Sequence, residues 1–295
     1  MNSGFFRCVK CNCKSASISP DKWTCLSCTQ VYPVRDGIPI LVDSPEELDS
    51  LLSVARSVRP GWYFTEQPNE SQSSWKHHLR KRRLVVEAQI KQYLAENKLE
   101  RVATLLDMGC GDGTNLSYLA KYTESLYGSD YNIIRLKRAT LAANHPNLTL
   151  FLGDILQFPV RDGFFDIVFF SHVLEHIPDD SKALQSVYRI LRPNGLLILG
   201  TPNEGATWWQ LAYKLQPAKR NSTDHVHFYT GSSLVGKLAE SGFDSVDIHY
   251  MGWGPPHWSI DRMLRRSKVV DDLFEVLGRR ILRKQASSLY AFARK

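Results

Sequence analysis

No apolar run in the chain approaches the roughly 18 residues that a membrane-spanning helix needs. The first residues, MNSGFFRCVKC, also lack the apolar core of an export signal. Disulfide bonds are disfavoured without such a signal, although six cysteines are present. These absences predict a cytoplasmic location, with peripheral attachment to a membrane as the alternative.

Composition and charge give little information about the binding partner of the protein. With 43% hydrophobic and 23% charged residues, the 295-residue chain resembles an ordinary globular protein, long enough for one large α/β domain and a smaller module. The formal net charge is +7, and basic residues cluster at 76–83 and 262–284. Such clusters attract RNA, anionic lipid or a phosphorylated substrate, but they are more often solvated helix faces.

The most informative stretch is LLDMGCGDGTN, residues 105–115. An apolar run reaches an acid, Asp107, and glycines follow at alternate positions, which predicts a buried parallel strand, a tight turn and the start of a helix. Gly109 and Gly111 permit positive φ and let a ligand approach the backbone, while a helix N-terminus offers N–H groups to an anion. The spacing differs from the dinucleotide fingerprint, and no G-K-[ST] follows to hold a triphosphate.

Two further acids follow strand-like stretches. Asp130 comes about twenty residues after the glycines, where a carboxylate accepts both hydroxyls of a ribose. Asp154 follows the apolar run Leu148–Leu152. Two more apolar runs, Phe165–Phe170 and Leu196–Gly200, complete five predicted strands in order.

This ordered set of motifs, over about Leu105–Asn203, resembles the class I S-adenosylmethionine-dependent methyltransferases. The resemblance implies an α/β fold with a seven-stranded, doubly wound, Rossmann-like sheet. It also implies S-adenosyl-L-methionine as cofactor, bound at Asp107, Gly109, Gly111, Asp130, Tyr131, Asp154, Ile155 and Ser171. Asp130 is then expected to bind the ribose hydroxyls and Asp154 the adenine amino group. For Asp107, orienting the turn is the alternative to direct contact.

The segment after the fourth strand, SHVLEHIPD at 171–179, lacks the N-P-P-Y type sequence of enzymes that methylate amino groups of adenine or glutamine. It resembles methyltransferases of small molecules and glycans. In the ubiquinone-biosynthesis O-methyltransferases the similar stretch binds a divalent metal through two acids and a histidine. Here His172 stands at the first acid position and shares a helical face with Glu175 and His176. Hydrogen bonds that hold the loop are therefore favoured over a metal.

Transfer of a methyl group to a hydroxyl or phenol oxygen needs a base, and histidine titrates near neutral pH. The candidates are His172, His176, His225 and His227, of which the last two follow the fifth strand. Alternate residues of an extended segment point to opposite sides, so one of that pair faces inward. We predict His225 as the base, with a structural role as the alternative for each histidine.

Five of the six cysteines lie in the first 28 residues, where two C-x-x-C pairs stand 13 residues apart. Thiolates at this spacing predict a tetrahedral zinc site, formed by Cys8, Cys11, Cys25 and Cys28. Cys13 is the spare thiol and the alternative to Cys11. An iron site or an empty ribbon is the alternative to zinc.

The next residues, Val31–Ser44, resemble the zinc ribbon of the tRNA-methyltransferase activator family in the run Y-P-V-x-D-G-I-P-x-L. A similar N-terminal ribbon occurs in rRNA guanine-N1 methyltransferases. Zinc then replaces a core that is too small to fold alone. We predict a ribbon over 1–44, a linker and helical cap over 45–100 and the methyltransferase domain over 101–295.

That domain is predicted to contain a substrate-side insertion at 204–230. Its apolar face consists of Trp208, Trp209, Leu211, Ala212 and Leu215, and basic residues lie close by in sequence. One interpretation is an interfacial helix at 206–220 that contacts a membrane to reach a lipid-linked substrate. A substrate lid or a dimer contact is equally compatible with the pattern.

The function predicted is transfer of a methyl group from S-adenosylmethionine to oxygen on a small-molecule, glycan or lipid-linked acceptor. Methylation of an RNA base is the first alternative, favoured by the ribbon and the basic clusters. A non-catalytic, cofactor-binding adaptor is the second, and the intact glycines and Asp130 argue against it.

Overall fold

The computed structural model describes residues 4–44, 64–67, 70–143, 145–215, 225–255 and 258–295. The strands are β1 (Ala16–Ile18), β2 (Lys22–Cys25), β3 (Val31–Arg35), β4 (Ile38–Leu41), β5 (Val102–Met108), β6 (Thr123–Asp130), β7 (Leu148–Gly153), β8 (Phe165–Ser171), β9 (Leu191–Pro202), β10 (Asp244–Met251) and β11 (Ser288–Arg294). The helices are α1 (Lys76–Glu96), α2 (Leu116–Leu119), α3 (Ile133–Ala139), α4 (Asp180–Ile190), α5 (Thr207–Leu215), α6 (Gly231–Glu240), α7 (Trp258–Leu264) and α8 (Lys268–Ile281).

The chain divides into two compact units. The first unit comprises Met1–Gln67, Glu100–Phe169 and Arg189–Gly195, and the second comprises Pro68–Leu99, Phe170–Tyr188 and Leu196–Lys295. The predicted division at residues 44 and 100 stays a prediction, and its linker falls largely on 45–63, outside the described residues.

The sheet of the first unit has the strand order β1-β2-β3-β4-β7-β6-β5-β8. From β4 to β8 neighbouring strands run parallel. Parallel strands are normally buried on both faces, which explains their apolar sequences. Asp107, Asp130 and Asp154 stand at the carboxyl ends of β5, β6 and β7, and therefore at one edge of this sheet. That edge is where open α/β sheets bind ligands.

The described residues contain eleven strands and not the predicted seven, because four strands lie within 1–44, the range predicted for the ribbon. Each of β1, β2 and β3 pairs antiparallel with the strand that follows it. β4 also pairs in parallel with β7, with Ile40 opposite Leu152. All four residues of β4 are buried. An edge strand exposes unpaired N–H and C=O groups, and β4 covers that edge of β7.

Phe5 and Phe6, which precede Cys8, lie in the core of the first unit. The Phe5 ring centroid is 4.7 Å from that of Tyr127, and Phe6 is 5.1 Å from Phe151. The Arg7 N–H donates to the Pro159 carbonyl at 3.0 Å. The ribbon is therefore joined to this unit on both sides, through these residues and through β4.

The second unit contains the strand order β9-β11-β10, with both pairings antiparallel. Helix α1 lies in the predicted helical cap and buries polar side chains, among them His78 and Glu87. Among the described residues, no helix combines the length and the apolar character needed to cross a membrane.

Candidate functional site

Three glycines form the turn after β5. Gly109, Gly111 and Gly113 have φ of 76°, 53° and 79°, values that side-chain-bearing residues rarely adopt. A Cβ on Gly113 would lie 2.7 Å from the Cβ of Ala142. The backbone here approaches its neighbours too closely for any larger residue.

Asp130 connects this turn to the end of β6. Its carboxylate accepts hydrogen bonds from the Gly111 N–H at 2.9 Å and the Asn132 N–H at 2.8 Å. Burial raises the pKa of Asp130, although these hydrogen bonds oppose the shift. Each carboxylate oxygen has two lone pairs, so acceptor capacity remains for a ligand hydroxyl.

Asp107 is a buried acid with an unsatisfied oxygen. The residue is 1% exposed, and its Oδ2 has no hydrogen-bond partner in the described part of the chain. Burial, and then the charge of Asp130, raises the pKa of Asp107 to about 8. An orphaned buried carboxyl with a displaced pKa is characteristic of a binding site rather than of a core optimised for stability.

Replacing Asp107 with asparagine is expected to stabilise the protein at alkaline pH when no cofactor is added. Because the folded pKa is raised, the stabilising contribution of the carboxyl is full below its unfolded pKa and is lost as pH rises towards 8. Each pKa unit corresponds to about 1.4 kcal/mol, so the advantage of Asp107→Asn should grow by about 4 kcal/mol between about pH 5 and pH 9. Urea unfolding at both values measures it, and an equal advantage at both would contradict the assignment.

Asp112, in the glycine turn, makes contacts that the sequence did not predict. Its carboxylate accepts from the Gln67 N–H at 2.7 Å and lies 3.6 Å from an Arg138 guanidinium nitrogen. Arg138 also donates to the Phe64 carbonyl at 2.9 Å. Residues 64–67 are thereby tied to the glycine turn. The position of Asp112 between Gly111 and Gly113 was the one feature of the sequence that indicated these contacts.

Three of the residues predicted to bind the cofactor, Tyr131, Asp154 and Ile155, follow the ends of β6 and β7. Asp154 accepts from the Leu156 N–H at 2.8 Å and so caps a short 3-10 turn. Burial, and then the charge of Asp154, raises the pKa of Tyr131. Ile155 is half-buried in the same turn. Asp154 and Tyr131 are therefore close enough for their charges to interact.

In the second unit, the segment after β8 gathers a carboxylate and three histidines. Glu175 is 1% exposed, and its Oε1 lies 3.4 Å from Nδ1 of His172 and 3.9 Å from Nε2 of His176. The His225 ring centroid is 5.0 Å from that of His176. His172 has φ of 57°, a costly value for a residue other than glycine, of the kind found at functional sites.

The charges in this cluster are set by burial and by their neighbours. Burial opposes ionisation of Glu175, but the hydrogen bond and charge of His172 outweigh it and hold the pKa of Glu175 below its usual value. Burial, and then the positive charge of Arg82, lowers the pKa of His172. At neutral pH the pair is therefore a carboxylate beside an uncharged imidazole.

Glu175, His176 and His225 also form a possible donor set for a metal ion. One ligand atom from each lies within 4.8 Å of the others. Two imidazoles and a carboxylate suit a divalent transition metal. His172, which holds the first acid position of the similar enzymes, is not part of this trio.

His227 points to different partners from those of His225. Its Nε2 lies 3.0 Å from the Pro178 carbonyl and its Nδ1 lies 3.7 Å from the Asp180 carboxylate. Asp180 is also bound by the Tyr229 hydroxyl and the Lys237 ammonium. These contacts favour a structural role for His227, because both ring nitrogens face groups of the protein.

Ser171 takes part in a hydrogen-bonded relay that the sequence did not reveal. Its hydroxyl lies 2.7 Å from the hydroxyl of Tyr290 on β11, which accepts from the Arg82 guanidinium at 2.6 Å. Arg82 belongs to the basic cluster at 76–83, so one of those charges has a partner inside the second unit.

The four cysteines predicted to bind zinc lie together. Their sulfur atoms are all within 4.8 Å of one another, and the Cys8–Cys28 and Cys11–Cys25 separations are both 3.5 Å. Zn–S bonds of about 2.3 Å place tetrahedral thiolates about 3.8 Å apart, close to these distances. Cys13 is outside the group. The hydroxyl of Tyr32 lies 3.2 Å from the Cys8 sulfur and would orient that ligand.

The predicted insertion contains α5, Thr207–Leu215, with Leu211 54% exposed. Residues 216–224, which carry the nearby basic positions, lie outside the described residues.

Comparisons with known proteins identify the family of the chain. A family profile described as "Methyltransferase domain" matches residues 75–248, more than half of it. The ubiquinone biosynthesis O-methyltransferase of Psychrobacter arcticus is 29% identical over 171 residues, 52% of this chain and 65% of that enzyme. The same enzyme of Histophilus somni is 28% identical over 206 residues, 65% of this chain and 79% of that one. The chain thus spans just under two thirds of the Psychrobacter enzyme.

Solved structures show the fold. The N-methyltransferase NodS of Bradyrhizobium japonicum superposes with a TM-score of 0.54 at 17% identity, covering 81% of this chain and 97% of that one. A chain from the Haloferax volcanii complex between a methyltransferase activator and a methyltransferase gives 0.51 at 15% identity, covering 84% and 96%. These likenesses confirm the predicted Rossmann-like α/β methyltransferase fold.

Proposed function

We propose that this chain, which belongs to the methyltransferase-domain family, uses S-adenosylmethionine to methylate oxygen on a small-molecule, glycan or lipid-linked acceptor. The relatives named ubiquinone biosynthesis O-methyltransferase support oxygen as the acceptor atom. The observation that carries the proposal is the cluster of Glu175 with His176 and His225, which offers a base to a hydroxyl.

The cofactor supplies an electrophilic methyl group on a sulfonium sulfur. The first unit offers what such a nucleoside ligand requires. Asp130 has acceptor capacity for ribose hydroxyls, Asp107 has an unsatisfied buried oxygen, and the glycine turn gives close access to the backbone. We assign the adenine end to Asp154, Tyr131 and the Ile155 backbone, and the methionine end to the glycine turn.

His225 is assigned as the general base. Its segment is held to the cluster by the Val226 N–H, which donates to the Glu175 carbonyl at 2.8 Å. The Glu175 carboxylate stabilises positive charge on a nearby imidazole that has taken up the hydroxyl proton. We assign His172 and His176 to positioning, because both contact Glu175 directly.

Transfer of labelled methyl from S-adenosylmethionine to a panel of phenols, catechols and glycans tests this assignment. His225→Ala is expected to lower turnover at least about a hundredfold, the usual contribution of a general base. His227→Ala is the matched control, two residues away but bonded to Pro178, and should change turnover little. Equal losses would contradict the assignment. Activity lost on mild chelation that leaves the ribbon zinc in place, and restored by an added divalent metal, would show instead that the trio binds a metal.

Methylation of an RNA base is the second candidate. The ribbon and the basic clusters support it. Incorporation of labelled methyl into total RNA, without transfer to any small acceptor, would favour this activity.

We also propose a structural zinc ion at Cys8, Cys11, Cys25 and Cys28. The near-tetrahedral sulfur spacing supports it. Its role would be to hold the ribbon, because no side chain of that group lies at the carboxyl ends of β5 to β7.

A further inference from the structure

Helix α8, Lys268–Ile281, has its amphipathic faces reversed. The acidic Asp271 and Glu275 are 2% and 9% exposed, and Gly278 is buried on the same side of the helix. The opposite side carries Val269, Leu273, Val276 and Leu277, at intervals of four, three and one residues, with exposed fractions of 77%, 54%, 49% and 44%. A surface helix normally turns its apolar stripe towards the core.

The inward acidic side is held by specific contacts, so this orientation is fixed. Asp271 is bound by the Lys81 ammonium at 2.5 Å and by the Arg265 guanidinium at 3.2 Å. Glu275 pairs with Arg279. Buried carboxylates without these partners would be costly, so the helix cannot rotate to hide its valines and leucines. The apolar stripe is therefore a permanent surface feature.

The surroundings of the stripe are strongly basic. Exposed cations of α7, α8 and the following turn are Arg262, Arg266, Lys268, Arg279, Arg280, Arg283 and Lys284. A cleft of about 340 Å³ beside them is lined by Ser71, Gln72, Ser73, Ser74, Lys76, Arg262 and Arg266, a set of cations and neutral polar groups without an acid. Such a cleft suits a phosphate group.

We infer that α8 docks the protein on an anionic lipid surface. Its apolar stripe would enter the acyl boundary while the flanking arginines and the cleft bind phosphate headgroups. The charge pattern selects this occupant, because a second copy would set these cations against themselves. RNA offers no apolar surface along its phosphate backbone against which the valines and leucines could be buried. The inference does not depend on which acceptor is methylated.

Flotation of the full chain with phosphatidylcholine vesicles, with and without about one third phosphatidylglycerol, tests the inference. Wild type should bind only the anionic vesicles, and less as salt rises. Val269→Ser with Leu273→Ser should weaken binding at least tenfold, and so should Arg280→Glu with Arg283→Glu. All four side chains are exposed, so the thermal midpoint should stay unchanged.

Leu141→Ser is the matched control, since Leu141 is 90% exposed but lies in the first unit and should not affect binding. Leu211→Ser tests the other candidate helix, α5, and binding lost there but retained in the α8 variants would overturn the inference. So would equal binding to neutral vesicles. A dimer in sedimentation that Leu273→Ser dissociates would make the stripe a contact between copies instead, and binding of an RNA oligonucleotide but not of vesicles would also refute it.

Discussion

Replacing Cys25 with serine is expected to remove bound zinc and to destabilise the first unit, whereas Cys13→Ser is expected to change neither. Cys25 is fully buried, and its sulfur lies 3.5 Å from that of Cys11. Cys13 lies outside the four-sulfur group, although it is only two residues from Cys11. Binding of a structural zinc contributes on the order of 10 kcal/mol to the fold it holds.

The effect should extend beyond the ribbon because the ribbon shares a core with the first unit. β4 pairs with β7, and Phe5 and Phe6 pack against Tyr127 and Phe151. Disorder in the ribbon would expose that edge and those rings. We expect the thermal midpoint of Cys25→Ser to fall by about 10 °C or more.

Metal analysis and calorimetry check both expectations. Wild type and Cys13→Ser should carry about one zinc per chain, and Cys25→Ser less than about a tenth. Iron or no metal in the wild type would refute the zinc assignment. A zinc-free variant that keeps the wild-type midpoint would refute the shared core.

The sequence led to the ribbon but not to its attachment. Cysteine spacing is local, since each C-x-x-C pair lies in one short turn, so the grouping of the four sulfur atoms could be predicted from the sequence. The pairing of β4 with β7 joins residues more than a hundred positions apart, which no local pattern encodes. One signal was present: Ile38–Val42 is apolar throughout, as expected of a strand buried on both faces rather than of a small ribbon's edge.

The candidate residues of the two units also differ in how far the sequence predicts them. Asp107, Asp130 and Asp154 follow strands, and parallel strands end at one edge, so periodicity and turn residues place them. The Glu175 cluster instead recruits His225 from fifty residues later in the chain, and Ser171 meets Tyr290 from the last strand. Those long-range contacts depend on tertiary packing, which local sequence patterns do not encode. From the sequence, the alternating side-chain directions of an extended segment indicated only that His225 and His227 point to opposite sides.

Asp130→Ala is expected to weaken binding of S-adenosylmethionine and of its demethylated product at least tenfold, a change of about 1.4 kcal/mol. The variant removes the acceptor for the ribose hydroxyls. It also leaves the N–H groups of Gly111 and Asn132 without their carboxylate, so the glycine turn loses the bond that sets its position. Hydrogen bonds to a charged group contribute about 1.5–3 kcal/mol each, so the loss should exceed the tenfold minimum.

Calorimetric titration of both ligands measures the change, with Glu124→Ala as matched control. Glu124 is an acid on the same strand, but it is exposed and lies near the opposite end of β6, so its removal should leave the affinity unaltered. Asp130→Asn separates charge from shape, since the amide keeps one acceptor oxygen and should give an intermediate affinity. If Asp130→Ala remains folded and zinc-replete yet binds as tightly as wild type, the ribose lies elsewhere and the assignment of the strand ends is wrong.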